Sequence, residues 1–156
     1  MMHHAIDACR QGIAPGQTPF GCAIVKEDRP IAAAHNTVWC DLDVTAHAEI
    51  NAIRAACREL GRVDLTECDL DATCEPCPMC LAASHWARID TVYFGATIAD
   101  AQAARFNELD LAARRMVELG GSALRVVGPV LQDECAVLFD EWQRQANPRS
   151  YRFAPS

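Results

Sequence analysis

A handful of residues in this chain have the types and spacing to hold one metal ion beside one proton-carrying acid: His47 and Glu49 two positions apart, and, farther along, Cys77 and Cys80 in a Pro-Cys-x-x-Cys run that begins at Pro76. One neutral imidazole and two thiolates fill three corners of a tetrahedral zinc and leave the fourth open to water, which separates a catalytic site from a closed structural one. Cys77 and Cys80 are three apart at an expected helix start, so both sulfurs face one side of its first turn. Free backbone N–H groups and the positive end of the helix dipole there favour thiolate over thiol. His47 and Glu49 would point to nearly opposite sides of a mid-helix. They converge only at the mouth of a helix. Zinc held by two thiolates and an imidazole carries no net charge and acidifies its water less than a three-histidine site does, so a base is needed, and Glu49 is placed to be that base.

A zinc staple, with Glu49 as a solvated helix-start acid, is the competing reading, but it lacks a fourth nitrogen or sulfur ligand at motif spacing. Cys74, three before Cys77, is the candidate for that place. Pro76 between them and the apolar strand leading in favour a buried thiol instead. The H-x-E…P-C-x-x-C arrangement is the signature of zinc enzymes that hydrolyse an amine from a nucleobase ring. In that chemistry Glu49 takes the proton of zinc-bound water, the hydroxide attacks the amine-bearing carbon, and the protonated acid delivers protons to the ring nitrogen and the departing ammonia.

The elements that must position these groups follow from periodicity and turn residues. A chain of 156 residues, 51% apolar and 22% charged, makes one domain with an ample core. Helical spacing covers residues 2 to about 13; strands follow at Phe20–Val25 and Ile31–His35, joined as a hairpin across Glu27–Pro30. A polar connection leads to a helix over Ala46–Leu60 stopped by Gly61, which carries His47 and Glu49 in its first turn. A strand at Leu70–Thr73 runs into the cysteine motif, with Pro76 at the start of a helix reaching about Ala87. A strand at Ile89–Gly95, a helix at Asn107–Leu119, a strand at Leu124–Val130 and a helix at Leu131–Ala146 complete the order. Strands alternating with helices after an opening hairpin predict an α/β three-layer α/β/α sandwich with a mixed sheet of about five strands.

Charge and cysteines bound the partners. A net charge of −7 with scattered Lys and Arg offers no basic stripe for a phosphate backbone, so no nucleic acid is expected. Nine cysteines, with no signal-peptide order at the start, read as a reducing cytoplasm, and those outside the motif as small buried hydrophobes. No apolar run approaches a membrane span.

Through these residues the chain resembles the cytidine-deaminase-like superfamily, and within it small bacterial guanine deaminases of the zinc-thiolate kind. The likeness runs through Pro19-Phe20-Gly21, Asn36, Thr45-Ala46-His47-Ala48-Glu49-Ile50, Cys74-Glu75-Pro76-Cys77-Pro78-Met79-Cys80-Leu81, Trp86-Ala87-Arg88, and a tail with Trp142 and Tyr151. What the resemblance implies is a Zn2+ cofactor, Phe20 stacking on the base, Asn36 on its polar edge, Ala48 beside it, Trp86 closing the pocket and Tyr151 completing it, with Glu108 as a second proton-handling acid. Val44 stands where relatives commonly carry proline, and Glu108 where an aspartate would fit one relative. Guanine to xanthine and ammonia is the expected reaction. A cytosine or triazine analogue, a damaged purine, a nucleoside, a tRNA adenosine or a non-catalytic zinc module are the alternatives. A homodimer is expected, with residues 131–156 exchanged between subunits, because Leu131, Val137, Leu138 and Trp142 give the last helix more apolar surface than a tail needs.

Overall fold

The computed structural model describes residues 1–146, 148 and 149. Helix α1 (Met2–Ile13) buries Met2, Ala5, Ile6, Cys9 and Ile13 along one stripe. Strands β1 (Gly21–Lys26) and β2 (Arg29–His35) form a hairpin through Glu27 and Asp28, both at positive φ, the two-residue turn whose twist matches antiparallel strands. Helix α2 (Val38–Asp41) precedes helix α3 (Ala48–Leu60), which Gly61 ends in the left-handed region. Strand β3 (Asp69–Cys74), helix α4 (Pro78–Trp86), strand β4 (Thr91–Ala96) and helix α5 (Ile98–Ala103) follow. Helix α6 (Ala113–Gly120), strand β5 (Arg125–Val127) and helix α7 (Gln132–Gln143) close the order. The sheet runs β2-β1-β3-β4-β5; β1 is antiparallel to β2 and β3, whereas β3, β4 and β5 are parallel. Alternate residues of β1 feed two cores. Ala23 and Val25 pack with α1, α5 and α7, while Cys22 and Ile24 pack with α3, α4 and α6. The architecture is the expected three-layer sandwich with a mixed five-stranded sheet.

Several boundaries differ from the sequence expectation. The second strand begins at Arg29 and includes Pro30, which an edge strand tolerates. Pro78 rather than Pro76 takes the first helical position of α4, and Pro76 is buried in the turn before it. Helices α2 and α5 are new. The first follows an Asx turn in which Asn36 Oδ1 accepts from Val38 N–H at 3.1 Å, and the second is capped by a local Thr97/Asp100 capping box. The helix expected from Asn107 starts only at Ala113, so Glu108 lies in the connection before it. Strand β5 stops at Val127, ahead of Gly128 and of Pro129, which has no N–H to extend a ladder. Cys40 is exposed, unlike most of the other cysteines.

The last helix finds its partner within the chain. Cys135, Leu138, Phe139 and Trp142 of α7 are buried against the α1 side of the sheet, and Arg10 on α1 pairs with Glu141 at 2.9 Å. That docking accounts for the apolar side, except for Val137 and Leu131, which stay partly exposed. Of the four apolar residues that motivated an exchanged helix, Leu138 and Trp142 are covered within the chain, and Leu131 and Val137 are exposed.

Candidate active site

The parallel strands end where the metal-binding residues stand. His47 is the N-cap of α3 and Cys77 the N-cap of α4, both with extended backbones (ψ 157° and 164°), while Cys80 lies within the first turn of α4. An N-cap residue stands half outside its helix, and this is how His47 and Glu49, two apart, reach one site. His47 Nδ1 lies 3.7 Å from Cys77 Sγ and 3.5 Å from Cys80 Sγ, and the three ligand atoms all fall within 4.8 Å of one another. A tetrahedral zinc with ordinary Zn–S and Zn–N bonds sets its sulfur and nitrogen ligands roughly 3.6 Å apart. The donor set and its spacing therefore fit zinc with one corner free. Cys74 is not part of this group; it is buried, and its thiol donates to the Thr97 carbonyl.

The electrostatics around the trio are tuned by burial and by close pairing. Cys77 is pulled down to about 4, chiefly by the hydrogen bond from Cys80 and, against a burial cost, by His47. Cys80, which donates that bond, stays well above an ordinary thiol. A bound dication draws such a pair to thiolates. Burial alone would lower His47, but its bond to Cys77 and the charges of Glu49, Cys77 and Glu108 lift it to about 8. Glu49, 8% exposed, is pushed up to about 7 by burial and by the Cys77 charge, against the pull of His47. A carboxyl at that value can carry a proton in either direction near neutral pH.

A cavity of about 370 Å³ opens beside the trio. Phe20, Asn36, His47, Glu49, Cys77 and Glu108 all line it. Phe20 forms one wall, braced edge-on by Phe106 with ring centroids 5.0 Å apart. Asn36 is buried, and its Oδ1 is committed to Val38 N–H, which leaves its Nδ2 as the donor for a ligand. Glu108 is raised by burial, then by the charge of Cys77. Ala48 is fully buried in the core on the α3 side and is not among the residues lining the cavity. Trp86 is not brought to the site: it ends α4 with 80% of its surface exposed, its ring against His85. The reason is positional, since the last turn of α4 lies far along the helix from Cys77 and Cys80 at its start. Tyr151 lies outside the described residues. Glu75, Met79, Val44 and Leu109 also line the cavity and had been given no role in it. Glu75 and Met79 carried a signal in their place inside the cysteine motif, and Val44 in standing where relatives commonly carry proline.

A catalytic zinc trio with an unliganded acid, set where parallel strands end on a mixed five-stranded sheet, defines a zinc-dependent aminohydrolase. The family of the cytidine and deoxycytidylate deaminase zinc-binding region matches residues 1–96, and the chain belongs to it. Guanine deaminase of Bacillus subtilis (strain 168) is 44% identical over 108 residues, 69% of each chain. A tRNA-specific adenosine deaminase of Aquifex aeolicus (strain VF5) is 44% identical over 92 residues, 59% of this chain and 61% of that one. The structure of guanine deaminase from Nitrosomonas europaea superposes with a TM-score of 0.81 at 29% identity, covering 90% of this chain and 81% of that one.

Proposed function

We propose that the protein converts free guanine to xanthine and ammonia. The observation that carries this reading is a pair of acids far apart in sequence, Glu49 and Glu108, that line one small cavity together with Asn36 as a donor. Guanine has a ring N–H next to its amine and acceptors on its other edges. A carboxylate at Glu108 accepts from such an N–H, and the Nδ2 of Asn36 donates to an acceptor edge. Adenine and cytosine have a bare ring nitrogen beside the amine and would leave Glu108 without that donor. When bound at His47, Cys77 and Cys80, zinc supplies Lewis-acid activation of water. Glu49 then collects the water's proton and returns protons to the ring nitrogen and the leaving amine, while Phe20, braced edge-on by Phe106, holds the ring plane.

The relatives include deaminases of free bases and of tRNA, so an ammonia-release assay over guanine, adenine, cytosine, guanosine, a triazine and tRNA is the deciding test. Guanine should have the highest kcat/KM by at least about tenfold, the size of one well-used hydrogen bond. A preference for cytosine or for tRNA would overturn the reading. Glu108→Ala should lower turnover of guanine and leave zinc content unchanged; unaltered kinetics would return Glu108 to a loop acid with no part in the reaction.

The same reading includes a homodimer in the cytoplasm. Exposed Val44 and Leu109 at the cavity mouth, with Leu42 nearby in sequence, are the apolar surface that supports a partner, and nine free thiols suit a reducing compartment. Among the described residues, no helix is long and apolar enough to cross a membrane. Light scattering of the intact chain tests the dimer, and a monomer would refute it.

A further inference from the structure

We infer that Glu75 is a positioning residue that clamps the loop bearing Glu108 to the metal-binding motif. Its carboxylate is the meeting point of segments far apart in sequence. Oε1 accepts from Ala113 N–H at 2.8 Å, and Oε2 from Ile98 N–H at 3.4 Å. These are the first helical residues of α6 and α5, whose first-turn N–H groups have no partner inside their own helices. Helix α5 has its own capping box, but the N-cap of α6 is Ala112, which has no side-chain acceptor. Glu75 caps α6 from 38 positions earlier.

Between these two anchor points runs the connection that places Phe106 and Glu108 on the cavity. Glu75 itself is fixed at its backbone, where its N–H donates to the Ala96 carbonyl at 2.8 Å, and it stands two residues before Cys77. One side chain thus ties both ends of the Glu108 segment to the turn that sets a metal ligand. The charge matters as well as the shape, because an anion at two helix N-termini is favoured by both dipoles. Displacement of a reacting group by about 1 Å costs on the order of 10²-fold in rate, so a clamp that fixes Glu108 relative to Cys77 has direct leverage on catalysis.

The test combines amide exchange with kinetics on full-length, zinc-loaded protein. Glu75→Ala should keep its zinc and speed exchange at Ile98 and Ala113 by about tenfold, the effect of a lost helix cap. It should also lower kcat/KM on the best substrate of the panel by about 10²-fold. In a Glu108→Gln background the same substitution should cost far less, because the group it positions is already disabled. Glu75→Gln, which keeps one carbonyl acceptor for Ala113, should fall between wild type and Glu75→Ala, and it serves as the test if the alanine variant does not fold. Unchanged exchange at both amides would overturn the clamp. Faster exchange with unchanged kcat/KM would overturn its catalytic role. The kinetic half rests on the proposed contact between Glu108 and substrate and the exchange half does not, so a Glu108→Ala variant with normal kinetics would mark failure of that proposal separately.

Discussion

Glu49 is suited to carrying a proton because burial and the neighbouring Cys77 charge hold it near 7 while His47 keeps it from rising further. Glu49→Gln preserves shape but cannot accept a proton. It should retain zinc and fold and lose at least about 10²- to 10⁴-fold in turnover, the usual contribution of a positioned base. Near wild-type turnover would mean that another group carries the proton, with Glu108 the first to examine. The metal ligands make a different prediction. Cys80→Ala removes a buried sulfur 3.5 Å from His47 Nδ1 and leaves two donors, too few for a stable tetrahedral site. Elemental analysis should find zinc near one per chain in the wild type and mostly lost in the variant. Retention of the full complement would remove Cys80 from the ligand set.

At the scale of elements, the site depends on how closely α1 lies on the sheet. A Cβ added at Gly21, the first residue of β1, would sit 2.1 Å from the Ala5 carbonyl and 2.6 Å from the Cys9 nitrogen, both backbone atoms that cannot swing away. The amide of Gly21 also bonds Thr73 Oγ1 at 3.0 Å, joining β1 to β3 just after Phe20. Gly21→Ala should therefore force helix and strand apart and cost roughly 1–3 kcal/mol or more, as overpacking does. A denaturant titration would register it as a lower midpoint. A midpoint equal to wild type would show that α1 can shift freely, and that the close approach is not needed.

For the whole molecule, stability is set against a charge placed inside the fold. Asp71 on β3 is 4% exposed, and its Oδ2 has no hydrogen-bond partner. Burial, helped by Asp69, raises it from an ordinary 3.8 to about 6. Between those values the folded chain holds a proton that the unfolded chain has released, so the stabilising protonated form is complete below about 4 and lost as pH rises through about 6. Above that window the buried charge costs roughly 2–3 kcal/mol. Asp71→Asn should consequently melt several degrees above wild type at pH 8, with the gap narrowing towards pH 4. A constant difference across pH would show that Asp71 does not titrate in this range.

The amino-acid sequence alone specified the types and local spacing of the candidate metal ligands and of Glu49, and the alternation of elements, because each is set within a turn or two of the chain, whereas the meeting of His47 with Cys77 and Cys80 spans 30 and 33 positions and is made by the fold. His47 and Glu49 meet at the mouth of α3, and Cys77 and Cys80 share the first turn of α4, so spacing suffices to bring each pair together. The buried strand β1 was legible for the same reason, as one short apolar run. What tertiary structure decided are the groups whose places depend on distant partners. Phe106 is drawn into the core and Ala113 is capped by Glu75, which leaves Glu108 in a loop where helical propensity alone had predicted a helix. Trp86, on the same helix as two metal ligands, is carried outward by the length of that helix. Trp142 is buried against its own chain although its amphipathic pattern was equally compatible with a second subunit. A sequence pattern records that a face must be covered; only the long-range packing of the folded chain determines what covers it.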